Sequence, residues 1–186
     1  MTKKDIFNIP NILSMVRMCM IPVTVVLILE RRLLVALAVF ILAGLTDLLD
    51  GYIARRFNKI TKLGAWLDPL ADKLMAVSVI ICFTTMKIVP LAVMIIVFTK
   101  ELLMIIGGMI VVKKGYSTTA NVYGKMAGLM LNLAIGSGFM HYAWAPYDQY
   151  AMYVAAVFVI VAFVQYAVKN VRIIFGKQKK TDETEQ

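Results

Sequence analysis

Four aspartates are set into one stretch, DLLDGYIARRFNKITKLGAWLDPLAD, at residues 47–72. Asp47, Asp50, Asp68 and Asp72 are four of the 11 acidic residues in a chain that is 61% hydrophobic. They lie in or beside apolar runs, where an ionised carboxylate is costly and marks a functional site. If the stretch folds as two antiparallel helices joined near Lys59, then at ~100° per residue Asp47, Asp50, Gly51 and Ala54 share one helical face. Gly64, Asp68 and Asp72 share a face of the other. Lys59 is nine residues from both Asp50 and Asp68, and twelve and thirteen from Asp47 and Asp72, so the carboxylates pair by depth in two layers.

Four carboxylates converging at low dielectric repel one another strongly. Protonation relieves the repulsion, and so do divalent cations. All-oxygen ligands suit Mg2+ or Mn2+, and two such ions neutralise four charges. A metal pair ~3.5–4 Å apart is a recurring device for displacement at phosphorus, one ion polarising the phosphoryl oxygens and the other stabilising the leaving phosphate. Arg55, one turn beyond, is placed to hold a diphosphate. Gly51, Ala54 and Gly64 leave room for a ligand to approach the backbone, although close helix packing makes the same demand. Asp72, in the deeper layer, can serve as a metal ligand or, where metal does not saturate it, as a general base.

The elements that must position these groups are membrane helices. Apolar runs of spanning length recur along the 186 residues, and their continuity argues against a β-barrel. The fold class is all-α, an integral membrane protein of six transmembrane helices in one domain. Residues 1–9 read as an amphipathic lead-in at the membrane surface, 10–168 as the six-helix core and 169–186 as a disordered tail. Pro10 suits the first turn of the opening helix. The spans are placed at 11–29, 33–57, 62–86, 91–112, 122–143 and 150–168. One side of such a bundle would carry thirteen cations (Lys3, Lys4, Arg55, Arg56, Lys59, Lys62, Lys113, Lys114, Lys169, Arg172, Lys177, Lys179 and Lys180) and the other three, Arg31, Arg32 and Lys87. The positive-inside rule then puts both termini in the cytoplasm, with the aspartates opening toward it across the cell membrane.

The net charge of +9 fits cytoplasmic loops against anionic lipid headgroups. Nucleic acid is not the partner, because no basic stripe alternates with aromatics on a soluble face. Cys19 and Cys82 fall inside apolar runs as packing residues, without metal spacing. Arg17 interrupts the first apolar stretch and no small-residue cleavage site follows, so that helix reads as uncleaved. His141, Tyr142, Trp144 and Tyr147 read as interfacial residues at the external end.

The order Asp47-x2-Asp50-Gly51-x2-Ala54-Arg55-x8-Gly64-x3-Asp68-x3-Asp72 resembles, without gap or substitution, the signature of the CDP-alcohol phosphotransferase family. The resemblance implies that an alcohol attacks the β-phosphorus of a CDP-linked donor and that CMP leaves. It implies that Asp47, Asp50, Asp68 and Asp72 surround one or two divalent metals, with Asp72 the general base. It places Asp50, Gly51, Ala54, Arg55 and Gly64 around the CDP group, and it implies a homodimer. An ion or proton transporter would also use membrane aspartates, but it leaves Arg55, Gly51 and Gly64 unexplained at this spacing and releases no CMP.

The acceptor must be read elsewhere. NIPN at 8–11, then Arg17 and Pro22, and the runs AGLTDLLDGYIAR and LGAWLDPLADKL are similar to bacterial phosphatidylglycerophosphate synthases. That similarity implies CDP-diacylglycerol as donor and sn-glycerol 3-phosphate as acceptor. Cardiolipin synthases share much of the same pattern and stand as the alternative. A phosphorylated acceptor needs cations near the carboxylates, and Lys125, Lys100 and Arg17 are the candidates. Those synthases carry Arg-Glu where this chain has Lys100-Glu101, which keeps the charge and loses the bidentate fork. Lys100 with Glu101 also reads as a structural charge pair, Lys125 and Arg17 as side chains snorkelling to headgroups, and Lys73 as a balance for Asp72.

Overall fold

The computed structural model describes residues 9–56, 64–113 and 122–182, with side chains at 12–49, 70–107 and 123–168. The lead-in at 1–8, the turn at 57–63, the loop at 114–121 and the last four residues lie outside the described residues. Everything described is helix or turn, with no strand among the described residues. The helices are α1 (Ile9–Leu29), α2 (Leu33–Arg56), α3 (Gly64–Thr85), α4 (Leu91–Lys113), α5 (Val122–Gly138), the single turn α6 (His141–Trp144) and α7 (Tyr147–Asp182). Among the described residues two stretches, Ile12–Leu29 and Tyr147–Val168, are long and apolar enough to cross a membrane.

Large apolar side chains turn outward along these helices, among them Val26, Leu34, Ile41, Leu48, Leu133 and Val157, each at least half exposed. A face of that kind suits lipid as its surroundings. Thr24, Thr84 and Thr85 return their hydroxyls to carbonyls of their own helices, donating to Met20, Ile80 and Cys82 at 2.8, 2.8 and 2.7 Å. Polar groups satisfied within the helix are what an apolar medium requires.

α1 packs against α2 and α3, while α5 and α4 pack against α7. The interior is built from small residues (Ala36, Ala43, Ala71, Ala127, Ala134, Ala155) that let the helices approach closely. Phe40, Phe83 and Phe139 plug it, with Phe139 centred 4.8 Å from Phe83 and 5.5 Å from Phe40.

Two turns share one device. After α1, the Arg32 amide donates to Leu27 O and the Arg31 amide to Ile28 O, both at 2.9 Å. After α3, Ile88 donates to Phe83 O at 2.9 Å and Lys87 to Thr84 O at 3.0 Å. These paired bonds satisfy carbonyls that a helix end leaves open, and they place Arg31 and Lys87 at φ 60 and 62°, where glycine is the usual occupant. Arg31 Nη1 reaches Tyr142 Oη at 3.4 Å, so the α1–α2 turn and α6 lie at one end of the bundle. His141 Nδ1 sits 2.6 Å from Asp148 Oδ2 at that end, with the Asp148 carboxylate in the first turn of α7, where an anion suits the helix N-terminus. Tyr142, Trp144 and Tyr147 are exposed there.

Sequence and structure part at two boundaries. The fifth span is expected to reach residue 143, but α5 ends at Gly138 and a separate turn follows. At Gly138 a Cβ would lie 2.7 Å from Cε2 and 3.0 Å from Cδ2 of the buried Phe83 ring. The sixth helix is expected over 150–168, but α7 begins at Tyr147 and continues to Asp182. The expected disordered tail is therefore helical over most of its length. Val171, Ile174 and Phe175 keep helical spacing through that basic segment. At 1.5 Å per residue α7 is about 54 Å long and exceeds a hydrocarbon core of ~30 Å.

The Gly138 contact gives a direct test. Gly138→Ala forces the Phe83 ring to move within a close-packed site, an overpacking that costs about 1–3 kcal/mol. The melting temperature of the detergent-purified variant should fall, and a melt matching the parent would show that the ring yields freely.

Candidate functional site

Five helices each bring polar groups to one region of an otherwise apolar interior. α1 contributes Arg17, α2 Asp47, α3 Asp72 and Lys73, α4 Lys100 and Glu101, and α5 Gly128 and Asn132. Arg17 is 1% exposed and pairs with Asp47, Nη1 to Oδ1, at 2.6 Å. Asp72 feels the charge of Asp47 and, after it, of Arg17, Glu101 and Lys73, so these residues form one electrostatic unit. Asp72 itself is exposed, and its neighbour on the next turn toward the interior, Met75, is buried.

The α4 glutamate is the hub of the unit's other half. Lys100 Nζ lies 2.5 Å from Glu101 Oε1, and Lys73 Nζ lies 3.1 Å from Glu101 Oε2. Each oxygen of one largely buried carboxylate thus holds an ammonium, one from its own helix and one from α3. Two lysines and one carboxylate leave this half with a net charge of +1, next to the aspartates. A cavity of about 50 Å3 opens between them, lined by Asp72, Lys73, Lys100, Glu101, Gly128 and Asn132 with apolar neighbours from α3, α4 and α5.

Of the residues singled out from sequence, Asp47, Asp72, Lys100 and Arg17 are brought into this region. Lys125 is exposed in the first turn of α5 and does not line the cavity. Asp50, Gly51, Ala54 and Arg55 follow Asp47 on α2, and Gly64 and Asp68 precede Asp72 on α3, but their side chains lie outside the described residues. Asn132 and the bridging role of Lys73 were not anticipated. The signal for Asn132 was present, since Gly124, Gly128 and Asn132 recur every four residues along one face of α5.

The donor set fits a hard divalent cation. Asp47 and Asp72 supply carboxylate oxygens only, and the Asp47 side chain is 39% exposed despite its arginine partner. Asp50 and Asp68, the other two aspartates expected as ligands, have side chains outside the described residues. Among the described residues no three acidic, histidine or cysteine side chains suffice alone.

The arrangement gathers acidic and cationic side chains, Asp72 and Glu101 with Lys73 and Lys100, around one small cavity. Residues 7–163 match the model of the CDP-alcohol phosphatidyltransferase family. The chain belongs to the CDP-alcohol phosphatidyltransferase family. The match spans α1 to α6 and the first 17 of the 36 residues of α7, and so includes every group of the cavity. Within this transferase family, a CDP-diacylglycerol–glycerol-3-phosphate 3-phosphatidyltransferase of Aquifex aeolicus is 29% identical over 180 residues, covering 90% of this chain and 98% of that protein. A probable phosphatidylglycerophosphate synthase of Mycobacterium tuberculosis is 30% identical over 183 residues, covering 92% and 85%. A CMP-forming cardiolipin synthase of Rattus norvegicus is 45% identical over 100 residues, which are 53% of this chain and 33% of that protein.

Proposed function

We propose that this chain is an integral-membrane phosphatidyltransferase that transfers the phosphatidyl group of CDP-diacylglycerol to sn-glycerol 3-phosphate. Phosphatidylglycerophosphate and CMP are the products. The observation that carries the acceptor assignment is the cationic half of the cavity, Lys73 and Lys100 held beside Asp72, in a chain that aligns with relatives of that name over nearly its whole length.

In this reading α1 to α5 and α7 make six spans, both termini are cytoplasmic, and the enzyme works as a homodimer in the cell membrane. The donor enters sideways from the inner leaflet and the soluble acceptor from the cytoplasm. Asp50, Gly51, Ala54, Arg55 and Gly64 receive the CDP group. Asp47, Asp50, Asp68 and Asp72 would hold two divalent cations, Mg2+ or Mn2+, which would supply charge neutralisation to the phosphates of the donor. Lys73 and Lys100 bind the acceptor phosphate, with Lys125 at the cytoplasmic approach. An Asp72 oxygen takes the proton from the acceptor hydroxyl as that oxygen bonds to the β-phosphorus. The bond from this phosphorus to the oxygen bridging to CMP breaks, and CMP departs with the electron pair.

Cardiolipin synthesis is the second reading, favoured by the higher identity to the rat enzyme over its shorter match. The two differ in the acceptor. Purified protein with CDP-diacylglycerol and Mg2+ or Mn2+ is offered glycerol 3-phosphate or phosphatidylglycerol. CMP release with glycerol 3-phosphate is the expected result. Release with phosphatidylglycerol alone replaces the assignment with cardiolipin synthesis, and release with neither sinks both.

A further inference from the structure

Asn132 sits in the apolar run of α5, half-buried, and lines the cavity together with Lys73 and Lys100. An amide is costly in a membrane helix; it either bonds to a neighbouring helix or serves a substrate. Ser137 on the same helix donates its hydroxyl to Ala134 O at 2.7 Å. No such bond holds the Asn132 amide among the described residues. Two N–H donors and a carbonyl oxygen are therefore left for a ligand in the cavity. Gly128, one turn away on the same face, also lines the cavity, and a Cβ there would meet nothing within 4 Å. From α5 the cavity thus receives one polar lining side chain, uncharged and beside open space, whereas its charged lining comes from α3 and α4.

An amide both donates and accepts, and so does a hydroxyl, which makes the two complementary. In sn-glycerol 3-phosphate the phosphate goes to Lys73 and Lys100 and the C1 hydroxyl to Asp72, which leaves the hydroxyl on C2. Holding the phosphate and the C1 oxygen fixes the two ends of a three-carbon chain and does not distinguish its enantiomers. Only a contact at a substituent of C2 does. We infer that Asn132 is the acceptor-specificity residue of this cavity: its amide takes the C2 hydroxyl, selects an acceptor with a hydroxyl beside the reacting one, and sets which enantiomer reacts. This rests on the proposed use of glycerol 3-phosphate as acceptor.

The test is CMP release by the full-length protein with CDP-diacylglycerol and Mg2+ or Mn2+. Three acceptors are offered: sn-glycerol 3-phosphate, its enantiomer sn-glycerol 1-phosphate, and 3-hydroxypropyl phosphate, which lacks only the C2 hydroxyl. The parent should favour sn-glycerol 3-phosphate over each of the others in kcat/KM by about 10–100-fold, the scale of leaving a desolvated polar group unpaired. Asn132→Leu keeps the volume and removes the amide, and both ratios should fall toward one. Asn132→Ala serves if the leucine variant does not fold, and it should show the same collapse. A purely structural role lowers turnover of all three acceptors together and leaves the ratios standing, which overturns the inference. A parent that uses all three acceptors equally well overturns it too, and leaves the glycerol 3-phosphate reading in place. A parent that releases CMP with none of them, or with phosphatidylglycerol alone, overturns both.

Discussion

Asp72→Asn should lower kcat by about 10²–10⁴-fold, the range attributed to a positioned general base. Asparagine has nearly the shape of aspartate and cannot accept the proton of an attacking hydroxyl. Asp72 is exposed at the cavity beside Lys73 and within electrostatic reach of Asp47, so the proton acceptor stands between the proposed metal side and the proposed acceptor side. KM for glycerol 3-phosphate should change little, because Lys73 and Lys100 are untouched. Mn2+ affinity measured beside the kinetics separates the two roles of this residue. Near-parental affinity with the kcat loss assigns the base. A matching loss of Mn2+ binding makes Asp72 primarily a ligand. A variant with parental kcat would remove Asp72 from the chemistry altogether.

The expense of a carboxylate in an apolar run singles out Asp47 and Asp72 in the sequence, and the structure puts them within electrostatic reach of each other. What spacing does not give is which neighbour a side chain meets. Lys73 follows Asp72 and reads as its counter-charge, yet adjacent residues on a helix point ~100° apart. Lys73 accordingly reaches across to Glu101 on α4. Arg17 shows the same limit from another side. Its place in α1 fixes its depth, but a helix apolar all round has no polar stripe to show which way it faces. Its pairing with Asp47 is a tertiary fact, as is the use of Asn132, a lone uncharged amide in an apolar helix. The close packing of the Phe83 ring on Gly138, where α5 ends, is likewise a tertiary fact. The α7 extension was hidden by its charge, which outweighs the apolar positions that keep helical spacing through it.

The charge balance around Glu101 leads to the second large effect. The parent cluster carries two ammoniums on one carboxylate, with 13% of the Glu101 and Lys100 side chains and 30% of Lys73 exposed. Glu101→Gln keeps the volume and one acceptor oxygen but removes the charge, so the local net charge rises from +1 to +2. Breaking a buried ion pair by neutralising one member costs about 3–5 kcal/mol, because the remaining charge stays buried without compensation. Two lysines now share that fate, and the more exposed Lys73 can relieve part of it by turning toward headgroups. A loss near the lower bound, about 3 kcal/mol, is the expected result, read as a clear drop in melting temperature in detergent. The direction reverses when the balance is restored. In the double variant Glu101→Gln, Lys100→Met the net charge returns to +1 and a flexible apolar chain fills the space of the lysine stem, so most of the lost stability should return. A double variant less stable than the single one would mean that Glu101 holds the helices by hydrogen-bond geometry and not by charge. If the double variant recovers its melting temperature but shows a raised KM for glycerol 3-phosphate with kcat retained, Lys100 is assigned to the acceptor phosphate. Its carboxylate partner is then what keeps two cations in the membrane interior until that phosphate arrives.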